Sequence, residues 1–85
     1  MSEARVEMYT TQYCGYCINA KRVLQRDGID FVDHDVGRDR SLRQKIAGET
    51  GWRTVPMIFV DGKFVGGYTE MMAFRSRGGF DEKPA

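Results

Sequence analysis

Along Arg5 to Thr10, RVEMYT, the apolar residues Val6 and Met8 alternate with Glu7 and Tyr9. That two-residue period predicts a first strand with one buried face. From Gly15 the period lengthens. Ile18, Ala20, Lys21, Val23 and Leu24 lie along an amphipathic helix, closed by Asp27-Gly28. IDFVDHDV, Ile29 to Val36, alternates again and predicts a second strand. A short helix follows, capped by Asp39 or Ser41, with Leu42, Ile46 and Ala47 inward and Gly48 and Gly51 marking its end. Met57 to Val60 is a continuous apolar strand, Asp61-Gly62 a hairpin turn, and Phe64-Val65 the start of its partner. Thr69 to Arg77 reads as a last helix carrying Met71, Met72 and Phe74; Gly78-Gly79 stops it, and FDEKPA reads as a frayed tail.

The order is therefore βαβ, then α, then a β-hairpin, then α. A right-handed crossover makes the first two strands parallel, and the hairpin adds antiparallel neighbours. The expectation is an α/β fold with a mixed four-stranded sheet flanked by three helices. At 85 residues, without repeat, linker or low-complexity segment, the chain reads as a single domain over residues 1–85.

Composition narrows the function. Hydrophobic residues make up 41 % and charged ones 29 %, a globular balance rather than a disordered one. The net charge of +1 lacks the basic stripe that nucleic-acid binding needs. The one basic concentration, RDRSLRQK from Arg38 to Lys45, reads as a solvated helix face. MSEARVEMY carries charges at Glu3, Arg5 and Glu7 and does not read as a signal peptide, and VPMIFV is far short of a membrane span. The expectation is a cytoplasmic protein, where thiols stay reduced.

That setting sharpens the question posed by YTTQYCGYCINAKRVL, which holds the chain's two cysteines, Cys14 and Cys17. A zinc site normally takes four ligands, and here two thiols and one histidine, His34, fall short. His34 itself reads as a plain strand residue. Covalent haem attachment would need His directly after the second cysteine, where Ile18 stands. A structural disulfide closing so short a loop contributes little stability. A redox pair is left. A helix beginning at or just after Cys14 turns free N–H groups and the positive end of its dipole toward that sulfur, favouring a thiolate. Cys17, one turn deeper on the same face, reaches Cys14 but is less exposed. Cys14 thus reads as the nucleophile and Cys17 as the resolving thiol.

Three separated motifs complete the picture: YTTQYCGYC at Tyr9 to Cys17, RTVP at Arg53 to Pro56 and GGYTE at Gly66 to Glu70. Together they resemble the dithiol class of the glutaredoxin family, with CGYC as its active site, within the thioredoxin-like fold. The resemblance spans nearly the whole chain. It implies a glutathione-dependent thiol–disulfide oxidoreductase that reduces protein–glutathione mixed disulfides and protein disulfides and serves cell redox homeostasis. It also implies a cis bond between Val55 and Pro56, with Thr54, Val55 and Pro56 beside Cys14 and the Val55 backbone pairing with the cysteinyl unit of glutathione. In GGYTE, Gly67 and Tyr68 would lie against the tripeptide, Thr69 would hold its γ-glutamyl carboxylate and Glu70 would face its ammonium group. The plainer alternative is that Thr69 and Glu70 merely begin a helix, and Pro56 merely begins a strand. Arg43 and Arg53 would meet the glycyl carboxylate. Tyr16 would wall the glutathione sulfur and Tyr13 cover the nucleophile. Trp52 either borders the site or belongs to a hinge or core.

Two positions depart from the family pattern. Thr11 stands where relatives usually carry lysine, and Gly15 where the commonest dithiol pattern has proline. Some relatives with glycine there hold a [2Fe–2S] cluster between two subunits. Each subunit gives its first cysteine, here Cys14, and two glutathiones give the remaining thiolates. A homodimeric cluster carrier is therefore one rival to a monomeric enzyme. The other is a redoxin reduced by thioredoxin reductase, with ribonucleotide reductase as its partner, against which the glutathione-binding motifs speak.

Overall fold

Val6–Thr10 form β1, whose burial alternates as its sequence does: Val6, Met8 and Thr10 are buried, Glu7 is exposed and Tyr9 half-buried. The structure is a computed structural model and describes residues 4–81. β1 leads into helix α1, Gly15–Arg26, and then β2, Phe31–Asp35. Helix α2 covers Arg40–Thr50, β3 Met57–Val60, β4 Lys63–Gly66 and helix α3 Tyr68–Ser76, with a closing 3-10 turn at Gly79–Asp81. The sheet order is β2-β1-β3-β4, with β1 parallel to β2 and antiparallel to β3, and β3 antiparallel to β4. This is the mixed four-stranded sheet that the periodicity predicts.

One sheet face carries the core. Val6 and Met8 of β1 lie opposite Val60 and Ile58 of β3. Ala20 and Leu24 of α1 and Met71 of α3 close over them, all at most 4 % exposed. The buried stripe on α1 is Cys17, Ala20 and Leu24, spacings of three and four that a helix places on one face. Ile18 falls off that stripe and stays 45 % exposed. The other face bears a row of aromatic side chains. His34 stacks on Tyr9 at 4.7 Å between ring centroids, Tyr9 meets Phe59 at 5.7 Å, Phe59 meets Phe64 at 5.2 Å and Phe64 meets Trp52 at 5.7 Å. His34 lies on β2, its Nε2 3.1 Å from a Glu7 oxygen.

Helix ends follow their local chemistry. The Asp39 carboxylate, rather than Ser41, caps α2 by accepting the Leu42 N–H at 3.0 Å. Helix α2 runs through Gly48 and ends only at Gly51, which takes a left-handed φ of 73°. Gly48 does not stop it because a glycine that keeps helical geometry costs only about 1 kcal/mol against alanine. The basic run expected on a solvated face is exposed at Arg38, Arg40 and Lys45. The hairpin turn at Asp61-Gly62 has positive φ at both residues, 52° and 80°, as a tight two-residue turn demands.

The expected frayed tail is corrected in part. Phe80 packs edge-on against Phe74 at 4.9 Å, and its carbonyl accepts a 2.9 Å hydrogen bond from Arg5 Nη1. An apolar ring next to a half-built core is worth burying, and the turn at Gly79–Asp81 delivers it. Residues 82–85 of that segment, like Met1 to Glu3 of the expected leaderless start, lie outside the described residues. Arg5 also grips both oxygens of Asp61, at 3.0 and 2.8 Å, and Arg75 does the same to Asp27 at the end of α1, at 2.6 and 3.1 Å. Hydrogen bonding from these arginines holds both carboxyls below their ordinary range. Their support is whole above about pH 4 and is lost as pH falls through the lowered values.

Leu24 is fully buried where α1 meets the sheet. Leu24→Ala should cost about 2–5 kcal/mol, read as a lower urea midpoint with an unchanged slope; a loss below about 1 kcal/mol would show that this core is not closely packed.

Candidate active site

Thr10 ends β1, and after three intervening residues the chain turns into α1 with Cys14 as its N-cap, in extended geometry at φ −100° and ψ 115°. A helix start leaves N–H groups without partners, and here the cap is a sulfur: Cys14 Sγ accepts the Cys17 backbone N–H at 3.1 Å. The same turn places Cys17 behind Cys14. Cys14 is half-buried, Cys17 has no exposed surface, and both are free thiols. Burial pushes the Cys17 thiol up to about 12, and a hydrogen bond with Cys14 adds to this. A backbone hydrogen bond with Thr11 and the charge of Lys21 pull the other way.

The RTVP motif leads into β3, the sheet neighbour of β1. Val55 and Pro56 join through a cis peptide bond, and the Val55 carbonyl oxygen is 3.7 Å from Cys14 Sγ. Pro56 is buried and leads directly into β3. The third motif packs on this loop. A Cβ placed on Gly67 would stand 3.5 Å from the Pro56 carbonyl oxygen and 3.5 Å from Trp52 Cζ2. Gly66 takes a φ of 132°, and a Cβ there would meet Glu70 Cγ at 2.7 Å. Glu70 lies so close because its Oε1 accepts the Gly67 N–H at 2.9 Å at the start of α3. The two glycines thus admit neighbouring parts of the protein, and one Glu70 oxygen serves its own helix, as the plainer reading of GGYTE has it.

Tyr16 and Tyr68 stack at 5.9 Å, joining the cysteine motif to GGYTE. Tyr16 is 65 % and Tyr13 90 % exposed, so both rings flanking the cysteine motif in sequence face solvent. Thr54 and Arg53 are exposed on the loop before Val55, and Thr69 is exposed on the first turn of α3. Arg43 lies half-buried on α2. Neither Arg43 nor Arg53 makes a side-chain hydrogen bond or ion pair among the described residues. The structure therefore gathers Cys14, Cys17, Tyr16, Val55, Pro56, Gly67, Tyr68 and Glu70 through direct contacts. Thr54, Thr69, Arg53 and Arg43 stand on the adjoining elements without such contacts. Trp52 packs against Phe64 and beneath Gly67, which places it in the support of the site.

Two features escaped the sequence reading. Arg38 joins Thr11, Gln12, Tyr13, Asp35 and Gly37 around a shallow depression beside the loop that carries Cys14. Only the parallel pairing of β1 and β2 brings that arginine there. Lys21, four residues after Cys17, is readable from helical spacing as a neighbour of that thiol, which the amphipathic pattern alone does not show. Nothing lies within 4 Å of a Cβ on Gly15, so space does not demand the glycine that replaces the usual proline.

A family model described as Glutaredoxin matches residues 6–65, most of the chain. The chain belongs to the glutaredoxin family. A probable glutaredoxin of Synechocystis is 40 % identical over 80 residues, covering 93 % of this chain and 73 % of the relative. Glutaredoxin 3 of Escherichia coli is 36 % identical over 78 residues, covering 92 % and 94 %. Among solved structures, a buckwheat glutaredoxin in complex with glutathione superposes with a TM-score of 0.83 at 26 % identity, covering 88 % of this chain and 71 % of that one. The holo form of glutaredoxin C1 from poplar gives 0.82 at 29 % identity, with 91 % and 79 % covered. The fold is thus the thioredoxin-like fold of glutaredoxins, and the family carries thiol–disulfide oxidoreductase activity with glutathione as substrate or partner. No helix among the described residues is long and apolar enough to cross a membrane.

The raised Cys17 thiol has a measurable consequence. An unfolded thiol ionises near its ordinary value of about 8.5, whereas the native one resists ionisation until far higher pH. The native state's advantage is whole below the ordinary value and shrinks as pH rises toward 12. Iodoacetamide at neutral pH should therefore label Cys14 alone. Cys17→Ala should flatten the fall in urea midpoint between neutrality and about pH 10. Equal labelling of both thiols would contradict the burial on which this rests.

Proposed function

We propose that the protein is a glutathione-dependent disulfide reductase that works as a monomeric single domain in the cytoplasm, with Cys14 as nucleophile and Cys17 as resolving thiol. One observation carries the reading: the half-buried sulfur of Cys14 caps a helix, 3.7 Å from the Val55 carbonyl, while Cys17 lies fully buried behind it. Only the outer sulfur is placed to meet a substrate disulfide.

The Cys14 thiolate attacks the glutathione sulfur of a mixed disulfide. A Cys14–glutathione S–S bond forms, the old S–S bond breaks, and the substrate leaves as a thiolate that takes up a proton. A second glutathione then attacks the glutathionyl sulfur, releasing oxidised glutathione and the Cys14 thiolate. With a protein disulfide, Cys17 resolves the mixed disulfide instead, and glutathione afterwards reduces the Cys14–Cys17 bond. The Val55 backbone pairs with the cysteinyl unit, as strand-like peptide recognition does. Thr69, at the N-terminus of α3, holds the γ-glutamyl carboxylate through its N–H and hydroxyl. Glu70 offers the ammonium group the oxygen left over from its hydrogen bond to Gly67. Gly67, Tyr68, Thr54 and Pro56 form the floor, and Tyr16 the wall. Arg53 and Arg43 meet the glycyl carboxylate, and among the described residues no side-chain partner competes for either.

The chain by itself does not build a [2Fe–2S] site. Such a cluster takes four thiolates, and with Cys17 buried, one chain presents Cys14 alone. No group of three or more metal-ligating side chains occurs among the described residues. No step of the reaction is assigned to a cluster.

Glutathione-driven reduction of a glutathionylated peptide should proceed with wild type and with Cys17→Ser and fall at least about a hundredfold with Cys14→Ser, the loss expected when a covalent nucleophile is removed. Turnover that needs thioredoxin reductase instead would overturn the assignment. In Thr11→Lys, an added cation beside the helix start should raise the thiolate absorbance of Cys14 at neutral pH; an unchanged absorbance would show that position 11 does not act on that sulfur.

A further inference from the structure

Strand β2 contains a conflict. Its register sets Asp33 opposite Met8 and Phe31 opposite Val6, so Asp33 points to the core face of the sheet, where α1 packs. An acid at such a position needs partners, and both its oxygens have one. Oδ1 accepts the Thr10 hydroxyl at 2.6 Å, and Oδ2 pairs with the Lys21 ammonium. Thr10 is only 2 % exposed, the buried polar residue among those described. The side chains of Lys21 and Asp33 are each little more than a quarter exposed, although the Asp33 residue as a whole, on an edge strand, is exposed.

This chain of polar groups ends one helical turn below Cys17, since residues four apart on α1 are stacked neighbours. Cys17 has no exposed surface, so charge on its sulfur is not directly solvated. Burial dominates the state of that thiol, and the positive charge of Lys21 acts against it as a smaller influence. Without Asp33 and Thr10 a flexible lysine on this helix would turn its head outward to solvent. The plainer account is an ion pair that merely ties α1 to the edge strand, and the two accounts differ in what they do to the resolving step.

We propose that Lys21, anchored by Asp33 and Thr10, is a positioning residue for the resolving half of the reaction: its ammonium stabilises the Cys17 thiolate as that sulfur attacks a mixed disulfide on Cys14. The inference rests on the assignment of Cys14 as nucleophile and Cys17 as resolving thiol. In the step, Cys17 Sγ bonds to Cys14 Sγ and the bond from Cys14 to the substrate sulfur breaks. The substrate leaves with the electron pair, and the proton that Cys17 gave up reaches the leaving thiolate through solvent. The disulfide is transferred, with no net oxidation or reduction. Asp33 keeps the cation in place, and Thr10 keeps Asp33.

The test uses Ellman's reagent on the reduced full chain, which needs no glutathione site. Attack by Cys14 releases one nitrothiobenzoate, and closure by Cys17 releases a second, giving two phases at neutral pH. Cys17→Ser should keep the first and lose the second. In Lys21→Met the first phase should stay within twofold of wild type and the second slow by about threefold or more. A tenfold loss of thiolate is offset about threefold by the greater nucleophilicity of a more basic one. Lys21→Arg, which keeps the charge, should restore the second phase to within about twofold of wild type. A second phase unchanged in Lys21→Met, both phases falling together, or Lys21→Arg slowing as far as Lys21→Met would each overturn the proposal. A wild type with no first phase would overturn the assignment of Cys14 beneath it, and the proposal with it.

Discussion

The hydrogen bond from the Cys17 backbone N–H to the Cys14 sulfur, 3.1 Å long, joins three requirements in one contact. It satisfies a donor that every helix start leaves open. It fixes the rotamer that presents Cys14 outward, and it makes the CxxC spacing put the second thiol behind the first. Everything else in the site is arranged around that turn. β1 must end at Thr10 for the loop to reach it, Val55 must be delivered by the chain entering the neighbouring strand β3 to lie against it, and α3 must start next to Pro56 to complete the wall. A helix that began one residue later would lose the cap and rotate both sulfurs away together.

Much of this was legible because it depends on near neighbours. The alternation of Val6 and Met8, the stop at Asp27-Gly28 and the turn at Asp61-Gly62 each follow from a few consecutive residues and came out as expected. The cysteine motif was readable for the same reason, since a cap and a CxxC spacing are both local. What the sequence hid depends on partners distant in the chain. Phe80 looks like part of a polar tail until Phe74 and Arg5 are seen around it. Gly48 looks like a stop, yet α2 continues through it to Gly51, where the left-handed turn is made. Asp33 reads as one more polar residue of an alternating strand, and its inward face appears only with the register to Met8.

GGYTE shows why a motif can be recognised before its physics is understood. Gly66 is required because Glu70 fills the space a side chain would take, and Glu70 is there because it caps α3. Helix start and candidate binding surface are built from the same atoms. Changes at Gly66 or Glu70 therefore act on the geometry of the helix N-terminus first, and on any ligand through it.

The aromatic row on the second sheet face ends at Trp52, the chain's single tryptophan, packed on Phe64 and under Gly67 in the segment that leads to Val55. Its indole N–H is buried and makes no hydrogen bond among the described residues. The molecule thus carries one fluorophore, placed against the backbone of two of the three motifs that make its site. Its emission reads the packing of that junction directly, an optical signal of site geometry with no label and no overlapping background from a second indole.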